Sequence, residues 1–236
     1  MLLLFDIDGT LLHGATGAHR DALHEAVRAV HGIDVSRTRL PFPPGGRTDG
    51  EIARQLLLQA GVSAERIDAR ADAVRERTCR AFAERCPADL SHTVLPGIRE
   101  LLSALGGREG AVLSLLTGNY EPVARLKLAR AGIGRFFASG QGAFGSDSED
   151  RAALPAIARR RAGRGGVPHP RADTVVIGDT PRDIACAQAD GVRCIAVATG
   201  AHDAGELASA DVVVHDAGEL GRTLDALLTA SAQAPG

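Results

Sequence analysis

The feature that most constrains this chain is an apolar run that leads directly into paired acidic side chains. Leu2–Phe5 is uninterrupted and apolar, and Asp6, Asp8 and Gly9 follow it closely. A short apolar run bounded by a turn residue is typical of a buried strand. Because ligands bind at the carboxyl ends of strands in open α/β sheets, the pattern predicts a functional site at this strand end. The alternative is an acidic turn after an edge strand.

Two carboxylates one residue apart have a specific chemical use. Neighbouring acids repel each other and resist burial unless a cation or a reaction engages them. One of Asp6 and Asp8 could attack a phosphorus atom while the other carries the proton of the leaving group. A hard divalent cation would offset their charge and that of a phosphate. The pair therefore favours metal-assisted phosphoryl transfer.

The composition of the 236 residues argues against several classes of partner. The net charge of −2 gives no large attraction to nucleic acid or to an anionic membrane, so neither is expected as a partner. The apolar run at the N-terminus is too short for a signal peptide or a membrane span. None of the four cysteines forms a Cys-x-x-Cys pair, which indicates free thiols in a reducing cytoplasm. We expect a cytoplasmic monomer or homodimer.

Strand-like runs and helical stretches alternate along most of the chain. This alternation predicts βαβ units and a parallel sheet, and continuous apolar strands fit a sheet that is covered on both faces. The predicted strands are Leu2–Phe5, Ala111–Leu116, Val175–Ile177, Cys194–Val197 and Val212–Val214, with a weaker one at Phe136–Ser139. The predicted helices include Pro122–Ala131, Leu154–Arg161, Ile184–Ala189 and Leu220–Ala230, and a frayed tail is expected over Ala230–Gly236.

Residues 14–95 show helical periodicity without a convincing apolar strand. The predicted helices here are Ala22–Val30, Glu51–Ala60 and Ile67–Phe82, and a segment rich in proline and glycine separates the first two. We interpret this region as a helical cap inserted after the first strand. The predicted fold is α/β: a Rossmann-like parallel sheet core over residues 1–13 and 96–236, flanked by helices, with the cap between its two parts.

Two further strand ends carry polar side chains that can contribute to the same site. Thr117, Gly118 and Asn119 follow one apolar run. A hydroxyl there can donate to a phosphate oxygen, although capping of the next helix explains the same residues. Asp179 follows another run and could complete a Mg²⁺ site with the acids of the first strand. Asp183 either caps the following helix or holds a metal-bound water, and both roles remain open.

Phosphoryl transfer to a carboxylate also needs positive charge near the attacking oxygen and the phosphate. Arg151 is one candidate, because it follows a polar loop and precedes a predicted helix. Lys127, the only lysine in the sequence, is the other. Its alternative role is that of a surface side chain with a buried stem.

Three motifs together resemble those of the haloacid dehalogenase superfamily of phosphohydrolases. They are Asp6-Ile7-Asp8-Gly9-Thr10, Leu116-Thr117-Gly118-Asn119 and Gly178-Asp179-Thr180-Pro181-Arg182-Asp183, in matching order and spacing. The first motif is specific, and the others gain strength in combination. The resemblance extends over essentially the whole chain and implies a Rossmann-like core with a helical cap inserted after the first motif.

The resemblance also implies roles for individual residues. Asp6 would be the nucleophile that forms an aspartyl-phosphate, and Asp8 would protonate the leaving group and then activate water. Mg²⁺ would be held by Asp6, Asp179 and the carbonyl oxygen of Asp8, with Asp183 beside them. Thr117 would bind the phosphate, together with Gly9, Thr10, Gly118 and Asn119.

One departure from the family pattern concerns the cation. Many members carry a Lys-Pro pair as a third motif, and this chain has none. By spacing, Arg151 falls nearest to that position, and we prefer it over Lys127. In the cap, Arg47 lies in a segment that resembles the substrate loop of phosphoglycolate phosphatase-like and β-phosphoglucomutase-like members, and it could contact a substrate anion. The alternative is an exposed helix start capped by its own side chains.

The expected activity is Mg²⁺-dependent hydrolysis of a small phosphorylated metabolite. Asp8 argues against carbon–halogen hydrolysis, because dehalogenases that resemble this fold lack an acid at that position. No lysine lies in the cap region, which argues against the Schiff-base chemistry of phosphonoacetaldehyde hydrolases. The alternatives are a phosphomutase on the same scaffold and a non-catalytic binding module that retains the fold.

Overall fold

In a computed structural model that describes residues 1–233, the strands form one six-stranded parallel sheet. The central strand, β1, pairs on one side with β2 and on the other with β4. This arrangement confirms the predicted Rossmann-like α/β fold. The strands are β1 (Leu2–Phe5), β2 (Val112–Thr117), β3 (Ala143–Phe144), β4 (Thr174–Gly178), β5 (Arg193–Val197) and β6 (Val212–Val214), in the spatial order β3-β2-β1-β4-β5-β6.

Helices cover both faces of this sheet and form the segment between β1 and β2. No helix within residues 1–233 has the length and apolar character needed to cross a membrane. The helices are α1 (Gly17–His31), α2 (Asp49–Gln59), α3 (Ala64–Asp68), α4 (Ala71–Arg85), α5 (Ile98–Gly106), α6 (Glu121–Arg130), α7 (Leu154–Ala162), α8 (Pro181–Asp190) and α9 (Ala217–Gln233).

The two faces of the sheet bury separate apolar layers. Leu3 and Phe5 of β1 pack into a layer that includes α5 and α9, whereas Leu2 and Leu4 pack into a layer that includes α7 and α8. All four side chains are fully buried. Burial on both faces explains why the strands read as continuous apolar runs instead of alternating ones.

Helices α1 to α4 share a third apolar core of their own. Tyr120 and Val123, at the start of α6, also pack into this core, so α1 to α4 pack against α6. The helical content of this region agrees with the interpretation as a cap. The boundaries given for the cap, residues 14–95, stay a prediction.

Three local predictions were wrong. Phe136–Ser139 is not a strand: Phe137 lies in a loop, with its ring packed edge-on against Phe5 at 6.1 Å between ring centres, and the edge strand is β3 instead. The helix predicted over Ile67–Phe82 is two helices, α3 and α4, separated without any proline or glycine to mark the break. Helix α9 continues through Gln233, so Ala230–Gln233 is not a frayed tail; residues 234–236 lie outside the described part of the chain.

Candidate active site

The carboxylates that follow β1 and β4 lie side by side because these strands are neighbours in the sheet. Asp6 and Asp179 are each 4% exposed, and Asp183, in the first turn of α8, is fully buried. One carboxylate oxygen from each of the three lies within 4.8 Å of the other two. The structure thus brings Asp6 and Asp179 together, and a metal shared by them stays a prediction.

Burial and mutual repulsion disfavour the ionised forms of two of these acids. Burial is the main cause that raises the pKa of Asp6 to about 6; Asp183 and Asp8 add to this effect, and Arg151 opposes it. Burial, followed by the charges of Asp6 and Asp183, raises the pKa of Asp179 to about 8. A bound cation would relieve this cost. Because the donors are carboxylate oxygens, the residues fit a hard ion such as Mg²⁺.

Asp183 is also engaged by its own helix. Its Oδ2 accepts hydrogen bonds from the main-chain N–H of Thr180 at 3.0 Å and from the Thr180 hydroxyl at 2.7 Å, as part of a capping box at the start of α8. Its Oδ1 pairs with Arg151. The structure therefore shows the helix-capping role, and a role for Asp183 beside a metal stays a prediction.

Arg151 links the acids of two different strand ends. Its Nη2 lies 3.4 Å from Oδ2 of Asp6 and also pairs with Asp183. Burial works against the charge, but the carboxylates of Asp183 and Asp6 outweigh it and raise the pKa of Arg151 above its ordinary value. The Arg151 Nε is buried and has no hydrogen-bond partner within residues 1–233. This side chain is therefore a permanent cation beside Asp6.

Lys127 contacts the other acid of the first motif. Its Nζ lies 2.9 Å from Oδ1 and 2.7 Å from Oδ2 of Asp8, and the Asn119 amide donates to the same Oδ2 at 2.9 Å. Burial opposes ionisation of Asp8, but the Lys127 charge outweighs it and holds the pKa of Asp8 below its usual value. Lys127 is fully buried rather than at the surface. From the sequence, Arg151 and Lys127 were alternatives for the cation of the site. In the structure both lie there, with Arg151 beside Asp6 and Lys127 beside Asp8.

The predicted phosphate-binding residues line the same strand ends. Thr117, at the end of β2, is fully buried, and its hydroxyl accepts a hydrogen bond from Asn119 Nδ2 at 3.2 Å. Thr10 donates from its hydroxyl to Oδ1 of Asp179 at 3.1 Å. The main chain of Gly9 turns with a φ of 95°, and its carbonyl accepts from the Thr199 hydroxyl at 2.8 Å. Their contact with a phosphate stays a prediction.

The cap segment that carries Arg47 is docked on the second motif. The main-chain N–H of Asp49 donates to the carbonyl of Gly118 at 2.9 Å, and a Cβ atom at Gly118 would lie 2.0 Å from the carbonyl oxygen of Arg47. The Arg47 guanidinium pairs with Glu51 and lies over the Phe42 ring, 3.3 Å from its centre. Contact between Arg47 and a substrate anion therefore stays a prediction.

A second contact between cap and core went unrecognised in the sequence. Oδ2 of Asp49 lies 3.0 Å from Nε2 of His19 and accepts the main-chain N–H of Tyr120 at 2.7 Å. Both side chains are buried. The cap of α2 is Thr48, whose hydroxyl accepts from the N–H of Glu51 at 3.1 Å. No motif or spacing marked His19.

Comparison with known proteins shows the family and the fold. The family model for haloacid dehalogenase-like hydrolases matches residues 3–188. A phosphoglycolate phosphatase of Pectobacterium atrosepticum is 30% identical over 214 residues, which cover 90% of this chain and 87% of the relative.

Two solved structures share the fold. A hydrolase from Pseudomonas syringae is 23% identical with a TM-score of 0.64, covering 96% of this chain and 98% of the other. A β-phosphoglucomutase from Clostridium difficile is 17% identical with a TM-score of 0.64, covering 98% and 97%. At these identities the likeness shows the fold alone. Since the family model spans all three strand ends that build the site, the chain belongs to the haloacid dehalogenase-like hydrolases.

Proposed function

We propose that this protein is a Mg²⁺-dependent phosphatase that hydrolyses a small phosphorylated metabolite through an aspartyl-phosphate, in the manner of a phosphoglycolate phosphatase. The observation that carries the proposal is the position of Asp6, a buried carboxylate between the acids Asp179 and Asp183 and the cation Arg151. The relative from Pectobacterium atrosepticum, named as a phosphoglycolate phosphatase, supports the substrate class. The four free cysteines fit a cytoplasmic location.

In the first step, a carboxylate oxygen of Asp6 attacks the phosphorus atom, and the bond between phosphorus and the leaving oxygen breaks. The leaving oxygen takes its proton from Asp8. Arg151 offsets the negative charge on Asp6 and the transferring oxygens. Held by Asp6, Asp179 and the carbonyl of Asp8, Mg²⁺ would add positive charge against the phosphoryl group.

In the second step, Asp8 takes a proton from water, the water oxygen attacks phosphorus, and the bond to Asp6 breaks. The Lys127 ammonium favours the carboxylate form of Asp8, which is the form that this step needs. The first step needs the protonated form. We propose that the phosphoryl oxygens of the substrate draw the Lys127 ammonium away from Asp8. Loss of this counter-charge favours the protonated form of the Asp8 carboxyl group.

The docked cap supplies the remaining requirement, which is exclusion of bulk water during the first step. Its contacts with the second motif, through Asp49 and the carbonyl of Gly118, lie directly beside Thr117 and Asn119. Closure over the site would prevent water from competing with the leaving group and would select the substrate.

The test is turnover of p-nitrophenyl phosphate and 2-phosphoglycolate by wild type, Asp6→Asn and Asp72→Asn, with Mg²⁺ and with a chelator. Asp72 is the matched control because its side chain is 81% exposed on the cap. We expect Asp6→Asn to lower kcat by about a thousandfold or more, as for other lost nucleophiles, and the control to match wild type. Acid-quenched wild type should carry one phosphoryl group on the peptide that contains Asp6.

Undiminished turnover in Asp6→Asn would reject Asp6 as the nucleophile. Turnover that does not change when the metal is removed would reject the Mg²⁺ dependence. Product analysis by phosphorus NMR with a sugar phosphate distinguishes free phosphate from an isomerised sugar phosphate, and recovery of the isomer alone would favour the phosphomutase alternative.

A further inference from the structure

A groove of about 390 Å³ runs between the cap and the core on the side of Arg151 that faces α8. One wall is formed by Glu51 at the start of α2, and the opposite wall by the loop before α7 and the first turns of α8. Because Arg151 also contacts Asp6, this groove shares a side chain with the proposed site of phosphoryl transfer. Its charged lining residues are Glu51, Glu149, Asp150, Arg151 and Arg182.

The acidic side chains of this groove are already paired. Their partners are two arginines of the cap and one main-chain N–H of the core, so none of them is bonded to Arg182. Within residues 1–233, Glu51 pairs with Arg47, Glu149 with Arg54, and Asp150 with the N–H of Ala152.

Arg182 is the cation of the groove that lacks a partner. It makes no ion pair and donates no side-chain hydrogen bond to the described residues, whereas Arg151 is held by Asp6 and Asp183. Partial burial and the charges of Arg47 and Arg151 act against the Arg182 guanidinium and lower its pKa. Glu51 also lies near Arg182, but its carboxylate accepts a hydrogen bond from the Arg47 guanidinium. Among the described residues, Arg182 is therefore the groove cation whose N–H groups are free to bind an anion.

The cap positions the stem of Arg182. A Cβ atom at Gly46 would come within 3.0 Å of the Cβ and 3.2 Å of the Cδ of Arg182, so the cap loop lies directly against this stem. The backbone of Gly46 has a φ of 70°, a conformation that favours glycine. With its stem held by the docked cap, the guanidinium loses less freedom when it binds a ligand.

We infer that Arg182 is a specificity-determining residue that binds a second anionic group of the substrate, a carboxylate or a distal phosphate, while the transferred phosphoryl group lies at Asp6. A planar guanidinium suits either anion, because two of its N–H groups can donate to two oxygens at once. The inference rests on the proposed phosphatase activity and narrows its substrate class to compounds with a phosphate ester and a second negative charge.

The test compares matched substrates that differ only in the second charge. One pair is 2-phosphoglycolate and 2-hydroxyethyl phosphate, and the other is propane-1,3-diol bisphosphate and its monophosphate. The variants are Arg182→Met, which keeps the apolar stem against Gly46, Arg182→Gln, which keeps a polar end, and Arg182→Lys, which keeps the charge. Arg193→Gln serves as the control, since Arg193 is exposed at the opposite end of β5.

We expect Arg182→Met to raise KM about tenfold or more for the doubly charged substrate of at least one pair, without a change in kcat. For the singly charged substrate of that pair, both KM and kcat should stay unchanged. Arg182→Lys should recover part of this loss, and Arg193→Gln should match wild type. A loss confined to the first pair assigns a carboxylate, and one confined to the second assigns a phosphate. If Arg182→Met does not fold, as judged by circular dichroism, Arg182→Gln decides the same comparison.

Equal losses on both members of each pair, or none at all, would overturn the inference. A wild type that hydrolyses phosphoesters without preferring the doubly charged substrates would overturn it as well and leave the proposed function standing. A wild type that hydrolyses neither these four substrates nor p-nitrophenyl phosphate would reject both.

Discussion

Replacing Lys127 by methionine is expected to destabilise the protein through the charge left behind on Asp8. The Lys127 ammonium lies 2.9 and 2.7 Å from the two carboxylate oxygens of Asp8, and its side chain is fully buried. Methionine keeps most of the volume of the lysine stem, so little cavity forms. Asp8 keeps one hydrogen bond, from Asn119 at 2.9 Å. The main loss is therefore the counter-charge.

The size of the effect follows from burial. Removing one partner of a buried ion pair costs about 3–5 kcal/mol. The Asp8 side chain retains 23% exposure, so water screens part of its charge, and we expect the lower end of the range, about 3 kcal/mol. Asp8→Asn leaves an ammonium with no exposure and should cost at least as much. The double variant should cost about 2 kcal/mol less than the sum, because the pair interacts directly.

The assay is urea unfolding of wild type, the two single variants and the double variant, followed by circular dichroism near neutral pH. The pKa of Asp8 is lowered in the folded protein, so its stabilisation is present above the unfolded value of 3.8 and is lost as the pH falls through the folded value. The gap between wild type and Lys127→Met should therefore close in acid. Additive costs in the double variant, or a gap that persists in acid, would refute the reasoning.

Two further predictions concern the cap and the metal. Gly118→Ala places a Cβ atom 2.0 Å from the carbonyl oxygen of Arg47, and overpacking of this kind costs about 1–3 kcal/mol. Because this contact docks the cap on the core, the cost weakens docking. A loss of about 1.4 kcal/mol should lower kcat/KM about tenfold. Gly107→Ala, whose Cβ would make only ordinary contacts, should match wild type in the same assay. Because the pKa of Asp179 is raised to about 8, this acid stabilises the metal-free fold less as the pH rises from 3.8 through about 8. The gain in Tm on adding Mg²⁺ should therefore grow over that range, and a gain independent of pH in differential scanning fluorimetry would contradict this assignment.

The sheet and its polar strand ends could be predicted because each depends on local sequence. Leu2–Phe5 and Val175–Ile177 are apolar throughout, and both prove to be buried on both faces. Strands of this kind carry their own signal, since every side chain must suit an apolar layer. The acids that follow them, Asp6 and Asp179, then meet because parallel neighbouring strands end at the same edge of the sheet.

Where local pattern and tertiary contact diverged, the predictions failed. Phe137 gives an apolar appearance to a loop because its ring packs on Phe5, a partner far away in the chain. The short strand β3 has only two residues and was missed, since it exists through pairing with Leu116 and Thr117. His19 and its contact with Asp49 were also missed, because His19 belongs to no spaced motif.

The two cations show most clearly what each level decides. The residue types and their order in the chain were enough to indicate a family, an α/β sheet and two acids at the end of its first strand. They could not distinguish Arg151 from Lys127, because either side chain can reach a strand end from a following element. Only the packing of α6 and of the loop before α7 sets Lys127 on Asp8 and Arg151 on Asp6. Ion pairing depends on distances of a few ångströms between segments remote in sequence, and the tertiary structure alone determines those distances.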